Sequence, residues 1–318
     1  MLLLDQYQFT RKSDTAISNE GWALSSNTIV DTLAGNDKVT GTAGVGAIAI
    51  SIAGGDAGAS ATLNTGTGKD FVMGAAGLYG LVIQGGAGIN GGSATINTGD
   101  GNDVVTGTGT KEGIRIEGAS ASINTGDGND VVAGTEAGDD GILIKEGATI
   151  NTGDGKDVVT GIATGDAAFA GIQIDFTSSL VTGDGNDVVT GTGGFFGIAV
   201  TNGGTLDTGD GKDVVDALEG GFGGTGFVRL GVGNDVLKGF QKENMLFGKV
   251  NAFGGAGRDK ILLDEGVYTI NGNTITSGGV IMNVSEFERI GGINKGLFDF
   301  RDGTLTVNDR GFGTFATA

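Results

Sequence analysis

Residues Thr98–Val105 read TGDGNDVV, and the same eight-residue string begins again at Thr125 and at Thr182. TGDGKDVV begins at Thr152 and Thr208, and looser copies start at Thr32 (TLAGNDKV), Thr65 (TGTGKDFV), Leu230 (LGVGNDVL) and Gly254 (GGAGRDKI). Nine copies therefore place an Asp at positions 37, 70, 103, 130, 157, 187, 213, 235 and 259. A fixed phrase at a period varying between 22 and 33 residues means one turn per repeat, with loops of unequal length.

Working outward, each central repeat holds three short β-like pieces. The first follows the motif Asp, as in Val104–Thr106. The second is Gly113–Ile116, matched by Gly141–Ile144, Gly171–Ile174 and Gly197–Val200. The third is Ala121–Asn124, matched by Ala148–Asn151 and Ser179–Val181. Each is short, mostly alternates with period two and is bounded by Gly, Asn or Asp. Three strands and three turns per repeat predict an all-β, right-handed, single-stranded parallel β-helix, a solenoid of about nine or more coils. At about 4.8 Å per coil, nine coils span roughly 40 Å.

The second residue after the motif Asp is always aliphatic: Val39, Val72, Val105, Val132, Val159, Val189, Val215, Leu237 and Ile261. That position is expected to face in, with Ile114, Ile116, Ile142, Ile144, Ile172 and Ile174 from the second strands and Ile96, Ile123, Ile150 and Leu206 from the third. The residue directly after the Asp then faces out, as an apolar file of Phe71, Val104, Val131, Val158, Val188, Val214 and Val236 between Lys38 and Lys260. The expected organisation is an N-terminal cap over residues 1–31, repeats over 32–261, and a C-terminal cap over 262–318. A solenoid needs such covers because bare strand edges template association.

Composition narrows the chemistry. The 318 residues include 67 Gly and no Pro, Cys or His, with 19 basic and 38 acidic residues for a net charge of −19. Ser-His-Asp and Cys-His nucleophiles, His- or Cys-ligated metals and disulfides are all excluded. The acidity argues against nucleic acid as a partner and favours hard, oxygen-seeking cations. No run approaches the apolar length of a membrane span.

GGAGRDKI resembles the glycine-rich nonapeptide of the repeats-in-toxin (RTX, haemolysin-type) calcium-binding proteins, in which Gly-Gly-x-Gly-x-Asp precedes a large apolar residue. The other copies match it at the second glycine, where only Leu33 departs, at the fourth and at the Asp. The resemblance implies Ca2+ as cofactor, bound by the motif carboxylates, and export by a type I route using an uncleaved C-terminal signal within 262–318. It departs in spacing, with one loop per three-strand coil instead of two per coil, so the two-edged β-roll shape does not carry over.

Physics points the same way. Stacked carboxylates about 5 Å apart repel by about 3 kcal/mol per neighbouring pair at an effective dielectric near 20. Five coils add a third-position carboxylate: Asp100, Asp127, Asp154, Asp184 and Asp210. The expected metal ligands are these five together with Asp37, Asp70, Asp103, Asp130, Asp157, Asp187, Asp213, Asp235 and Asp259. Polar turns alone also tolerate Asn and Asp, but they would not hold Asp at all nine sixth positions. The longer coils between residues 37 and 103 are expected to set their loops out of line. Outward residues Glu117, Lys145 and Asp175 alternate in sign and are expected to support the register.

The reading is a non-enzymatic, secreted or cell-surface solenoid of structural role, such as a matrix fibre, surface layer or adhesin-like module. Its expected partners are Ca2+, further copies of itself in filaments or sheets, and cell-surface polysaccharide, with no nucleic acid and no membrane span. The alternatives are a calcium-dependent polysaccharide lyase or epimerase on a β-helix, or an ice-binding module using the file of Thr65, Thr98, Thr125, Thr152, Thr182 and Thr208. Against catalysis, no cluster is expected to unite paired carboxylates, a base and a sugar-stacking aromatic platform.

Overall fold

A computed structural model describes residues 1–24, 27–54, 59–85, 92–165, 168–242 and 248–317. The chain is a parallel β-helix. Three long sheets run along it, with twelve, nine and fourteen strands, each coil adding one strand to each sheet wherever the coil is complete. The first sheet collects the strands that follow the motif Asp, the second the Gly-Ile-x-Ile segments, and the third the segments that lead into the next motif. Among the described residues no helix is long and apolar enough to cross a membrane.

Register is residue for residue across coils of unequal length. Val105 pairs with Val72 and Val132, Ile114 with Leu81 and Ile142, and Ile123 with Ile96 and Ile150. Those residues form the core, and every one of them is fully buried. Each buried Ile or Val contributes about 1.5–3 kcal/mol, yet only in a stack, because a single coil has nothing to cover it. The tight corner between the first and second strands explains one glycine file. A Cβ on Gly107 would overlap the carbonyl oxygen of Gly113 across that corner. The outward file from Phe71 to Val236 is likewise in register and half-buried.

The structure differs from the expected caps at both ends. Within residues 1–31, Thr15–Ser18, Trp22–Leu24 and Thr28–Asp31 already wind a coil, one strand in each sheet. The N-terminal cover is shorter: Leu4 is buried in the core, Phe9 packs against it, and Tyr7 donates its hydroxyl to the Thr15 carbonyl at 2.6 Å. At the other end Val280–Ser285 and Arg289–Gly292 add parallel strands beyond the last motif. Antiparallel pairing then closes the stack, with Thr274–Ser277 beside both Gly266–Asn271 and Val280–Ser285, and Gly303–Val307 between Gly266–Asn271 and Gly313–Thr317.

Leu33 fills the motif position where the other eight copies have glycine, and it holds φ at +75°. A side chain in that left-handed region costs about 1–2 kcal/mol, which glycine avoids at some cost in chain entropy. Leu33 is 39% exposed, so little packing is lost on truncation. Leu33→Gly should therefore stabilise the protein by about 1 kcal/mol, read as a higher denaturation midpoint at unchanged slope.

Candidate cation ladder

The nine sixth-position Asp side chains lie inside the motif turn, each with no solvent exposure. Strand alternation explains why: Asp103 stands two residues before the inward Val105, so both side chains point the same way. Glycine makes the turn passable. Gly101 holds φ at +158°, and a Cβ there would overlap the carbonyl oxygen of Gly68 in the preceding coil. Glycine carbonyls thus run in file along the axis beside the carboxylates.

One contact repeats along the whole ladder. The backbone N–H of each motif Asp from Asp37 to Asp235 donates to Oδ1 of the Asp one coil further on. The distances are 2.7 Å from Asp37 to Asp70, 2.8 Å from Asp70 to Asp103 and from Asp103 to Asp130, and 2.9 Å from Asp130 to Asp157. From Asp157 through Asp187, Asp213 and Asp235 to Asp259 every step is 2.8 Å. The long coils between 37 and 103 therefore do not displace their loops, contrary to the sequence expectation. Their extra residues lie outside the motif turn, and the first-sheet register holds from Lys38 through Phe71 to Val104.

The other oxygen is left over. Oδ2 of Asp70, Asp103, Asp130, Asp157, Asp187, Asp213, Asp235 and Asp259 is buried and has no hydrogen-bond partner. The adjacent motif threonine hydroxyl favours the charged form of Asp70, Asp103, Asp130, Asp157, Asp187 and Asp213, but its single proton is drawn to a main-chain carbonyl as well. Thr98 donates to the Thr125 carbonyl at 3.1 Å, and Thr65, Thr125, Thr152 and Thr182 do the same at 3.0–3.2 Å. These threonines are themselves fully buried, so the file that suggested an ice-binding face is not on the surface.

Burial pushes Asp103, Asp157 and Asp213 up to about 7 and Asp235 to about 6, and raises Asp70, Asp130, Asp187 and Asp259. The N–H donated to Oδ1 opposes that rise without cancelling it. Flanking carboxylates add to it, Asp70 and Asp130 at Asp103, Asp187 and Asp130 at Asp157. A buried anion with an unpartnered oxygen is costly unless a proton or a cation joins it.

The third-position residues go elsewhere. Asp100, Asp127, Asp154, Asp184 and Asp210 are all exposed, outside the buried file, while their main-chain carbonyls accept the N–H of the fourth-position glycine in the preceding loop at 2.7–2.9 Å. Among the described residues no three carboxylates gather closely enough to hold a metal on side chains alone. An ion in the ladder would rest on paired carboxylates plus glycine carbonyls, a donor set of oxygens that suits a hard, many-coordinate cation.

Two ladder members escaped the sequence reading. Asp14 donates its N–H to Asp37 Oδ1 at 2.7 Å, and Asp259 donates to Glu288 Oε2 at 2.6 Å. Neither sits in a glycine loop. Both precede an inward apolar residue by two positions, Ala16 and Ile290, and that spacing was the available signal.

On the second sheet, Lys145 Nζ meets Glu117 at 2.8 Å across one coil step, as the alternating charges imply. Asp175 does not extend the series. It turns to accept Thr201 Oγ1 at 2.6 Å and Asn202 Nδ2 at 2.7 Å. The structure departs from the sequence expectation in one place, since parallel pairing brings the aromatic Tyr79, the acids Glu112 and Asp140 and the base Arg115 together from three successive coils.

No protein-family model matches the chain. No curated protein matches it either. Among solved structures it is similar to the X-ray crystal structure of a hyperactive, Ca2+-dependent, β-helical antifreeze protein from an Antarctic bacterium, at 18% identity and a TM-score of 0.42, over 81% of this chain and 69% of that one.

Proposed function

We propose that this protein is a secreted, non-enzymatic calcium-binding solenoid of the RTX type, in which Ca2+ stiffens a structural rod. The observation that carries the reading is the file of eight buried Asp Oδ2 atoms without a hydrogen-bond partner. Ca2+ supplies positive charge and accepts six to eight oxygens at flexible geometry, whereas Mg2+ demands a tight octahedron. Asp70 to Asp259 would hold it with the glycine carbonyls of the same turns. The exposed third-position carboxylates would add attraction at the surface without entering the file. Millimolar Ca2+ outside cells matches the affinity range of extracellular calcium modules, which supports the extracellular placement. The half-buried valine file offers a flat side on which such rods would pack against one another.

Equilibrium dialysis of the full chain against Ca2+ is the direct test. Several Ca2+ bound per chain, with Mg2+ a poor competitor, is the expected result. A chain that binds none at millimolar Ca2+ overturns the reading.

A further inference from the structure

Away from the motif turn, two neighbouring coils break the repeat at the same place. One file of the second sheet reads Tyr79, Glu112, Asp140, Ala170, Phe196. Two acids therefore occupy adjacent rungs, about 5 Å apart along the axis. Glu136 ends the first-sheet strand of the same coil as Asp140, and its register partner in the next coil is Ala163. Glu112 is 1% exposed, and Glu136 and Asp140 are each 2% exposed.

The partners of these three are incomplete. Arg115 reaches Glu112 Oε1 through Nη1 at 3.0 Å but also reaches Glu117 Oε2 through Nη2 at 2.5 Å, where Lys145 already stands at 2.8 Å. Lys111 is drawn toward Tyr79, with Nζ 3.4 Å from the phenol oxygen. Glu136 Oε2 accepts the N–H groups of Gly138 and Asp139, and Asp140 Oδ1 accepts that of Ala170 at 3.1 Å. Glu112 Oε2 and Glu136 Oε1 are buried with no partner at all. Asp139 adds its charge beside all three. With Glu117 and Lys145 set against each other, four carboxylates face only Lys111 and Arg115, and two negative charges remain uncompensated.

We infer that Glu112, Glu136 and Asp140, with Asp139 at the rim, form a separate site for one divalent, oxygen-seeking cation, Ca2+ by the same donor chemistry. Pairs of these carboxylates and the main-chain carbonyls of the 136–140 turn would supply its ligands. The carboxylates repel one another, and burial with that repulsion raises Glu112 and lifts Glu136 to about 7 and Asp140 to about 8. An ion there would tie the 136–140 turn to the coil carrying Glu112. Unlike the ladder it occurs once among the described residues, since the neighbouring coils carry Tyr79, Ala163, Ala170 and Phe196 at the corresponding places.

The test is Ca2+ equilibrium dialysis and calorimetry on the full chain, comparing wild type with Glu136→Gln, Glu112→Gln and the ladder control Asp157→Asn. Glu136→Gln should lose a single Ca2+ per chain, or weaken one site by at least about tenfold, with the other sites unmoved. Asp157→Asn should do the reverse. Should Glu136→Gln fail to fold, Glu112→Gln reads the same site, because Gln keeps the side-chain shape. Wild-type stoichiometry and affinity in a folded Glu136→Gln or Glu112→Gln variant overturns the inference. A failed ladder is distinguishable, since wild type would then bind about one Ca2+ that Glu136→Gln abolishes.

Discussion

Chelating calcium at pH 7.5 should lower the melting temperature by more than about 10 °C and reduce the β-sheet signal in circular dichroism. A site held at 100 times its Kd contributes about 2.7 kcal/mol, and each kcal/mol moves the midpoint of a large domain by roughly 2–4 °C. A few occupied ladder sites therefore suffice. Mg2+ at the same concentration should restore little of the loss.

The pH dependence of the chelated protein has a definite sign. Asp103, Asp157 and Asp213 sit near 7 in the folded chain, against 3.8 for an ordinary Asp. Between about pH 4 and pH 7 the folded state thus binds more protons than the unfolded one, so stability falls as pH rises through that window and levels off above it. On the proposed reading calcium takes the place of those protons. Binding to the ladder should release protons at pH 6 and far fewer at pH 8, measured by calorimetry in buffers of different ionisation enthalpy. A melting curve indifferent to chelator at pH 7.5 would falsify the ladder as a cation site.

The fold was readable because one phrase recurs and the aliphatic residue two after its Asp never changes character. That single position sets the inward face, and period-two alternation sets the rest of the first strand. The same alternation, run backward from Val105, turns Asp103 inward, and run forward from Ile96 it turns Thr98 inward. Composition does not separate the sixth-position Asp from the third, since both are acids in one glycine-rich turn. Only the path of the turn buries Asp103 and exposes Asp100. Asp14 and Glu288 were hidden because they keep the ladder contact without the glycine loop that marks it. The cluster of Glu112, Glu136 and Asp140 was hidden for another reason. Glu112 and Asp140 are 28 residues apart while their motif Asp residues are 27 apart, so sequence spacing alone does not align them.

Asp157→Asn should reverse the sign of its effect on stability when calcium is added. Asp157 Oδ1 accepts the Asp130 N–H at 2.9 Å, and the asparagine carbonyl keeps that bond. The amide nitrogen replaces a carboxylate oxygen beside Thr152, and the Thr152 hydroxyl, which favoured the charged carboxylate, can accept the amide proton through its oxygen. In chelator at pH 8 the wild type buries this carboxylate between those of Asp130 and Asp187, and both repel it. Asparagine removes that repulsion and the cost of burying charge, so the calcium-free variant should melt higher than wild type. In saturating calcium the variant lacks a charged ligand for the ions on both sides of its coil, and it should melt lower. Asp157→Ala separates charge from hydrogen bonding. It strands the buried Asp130 N–H at a cost of about 1–3 kcal/mol and should destabilise the protein under both conditions. Asp37→Asn should lose less in calcium, because Asp37 has a motif neighbour on one side only and its Oδ2 lies 2.6 Å from the Thr32 hydroxyl, which is also 2.7 Å from the Thr65 carbonyl. Equal calcium-dependent losses at positions 37 and 157 would mean that the loops bind independently, with no coupling along the rod.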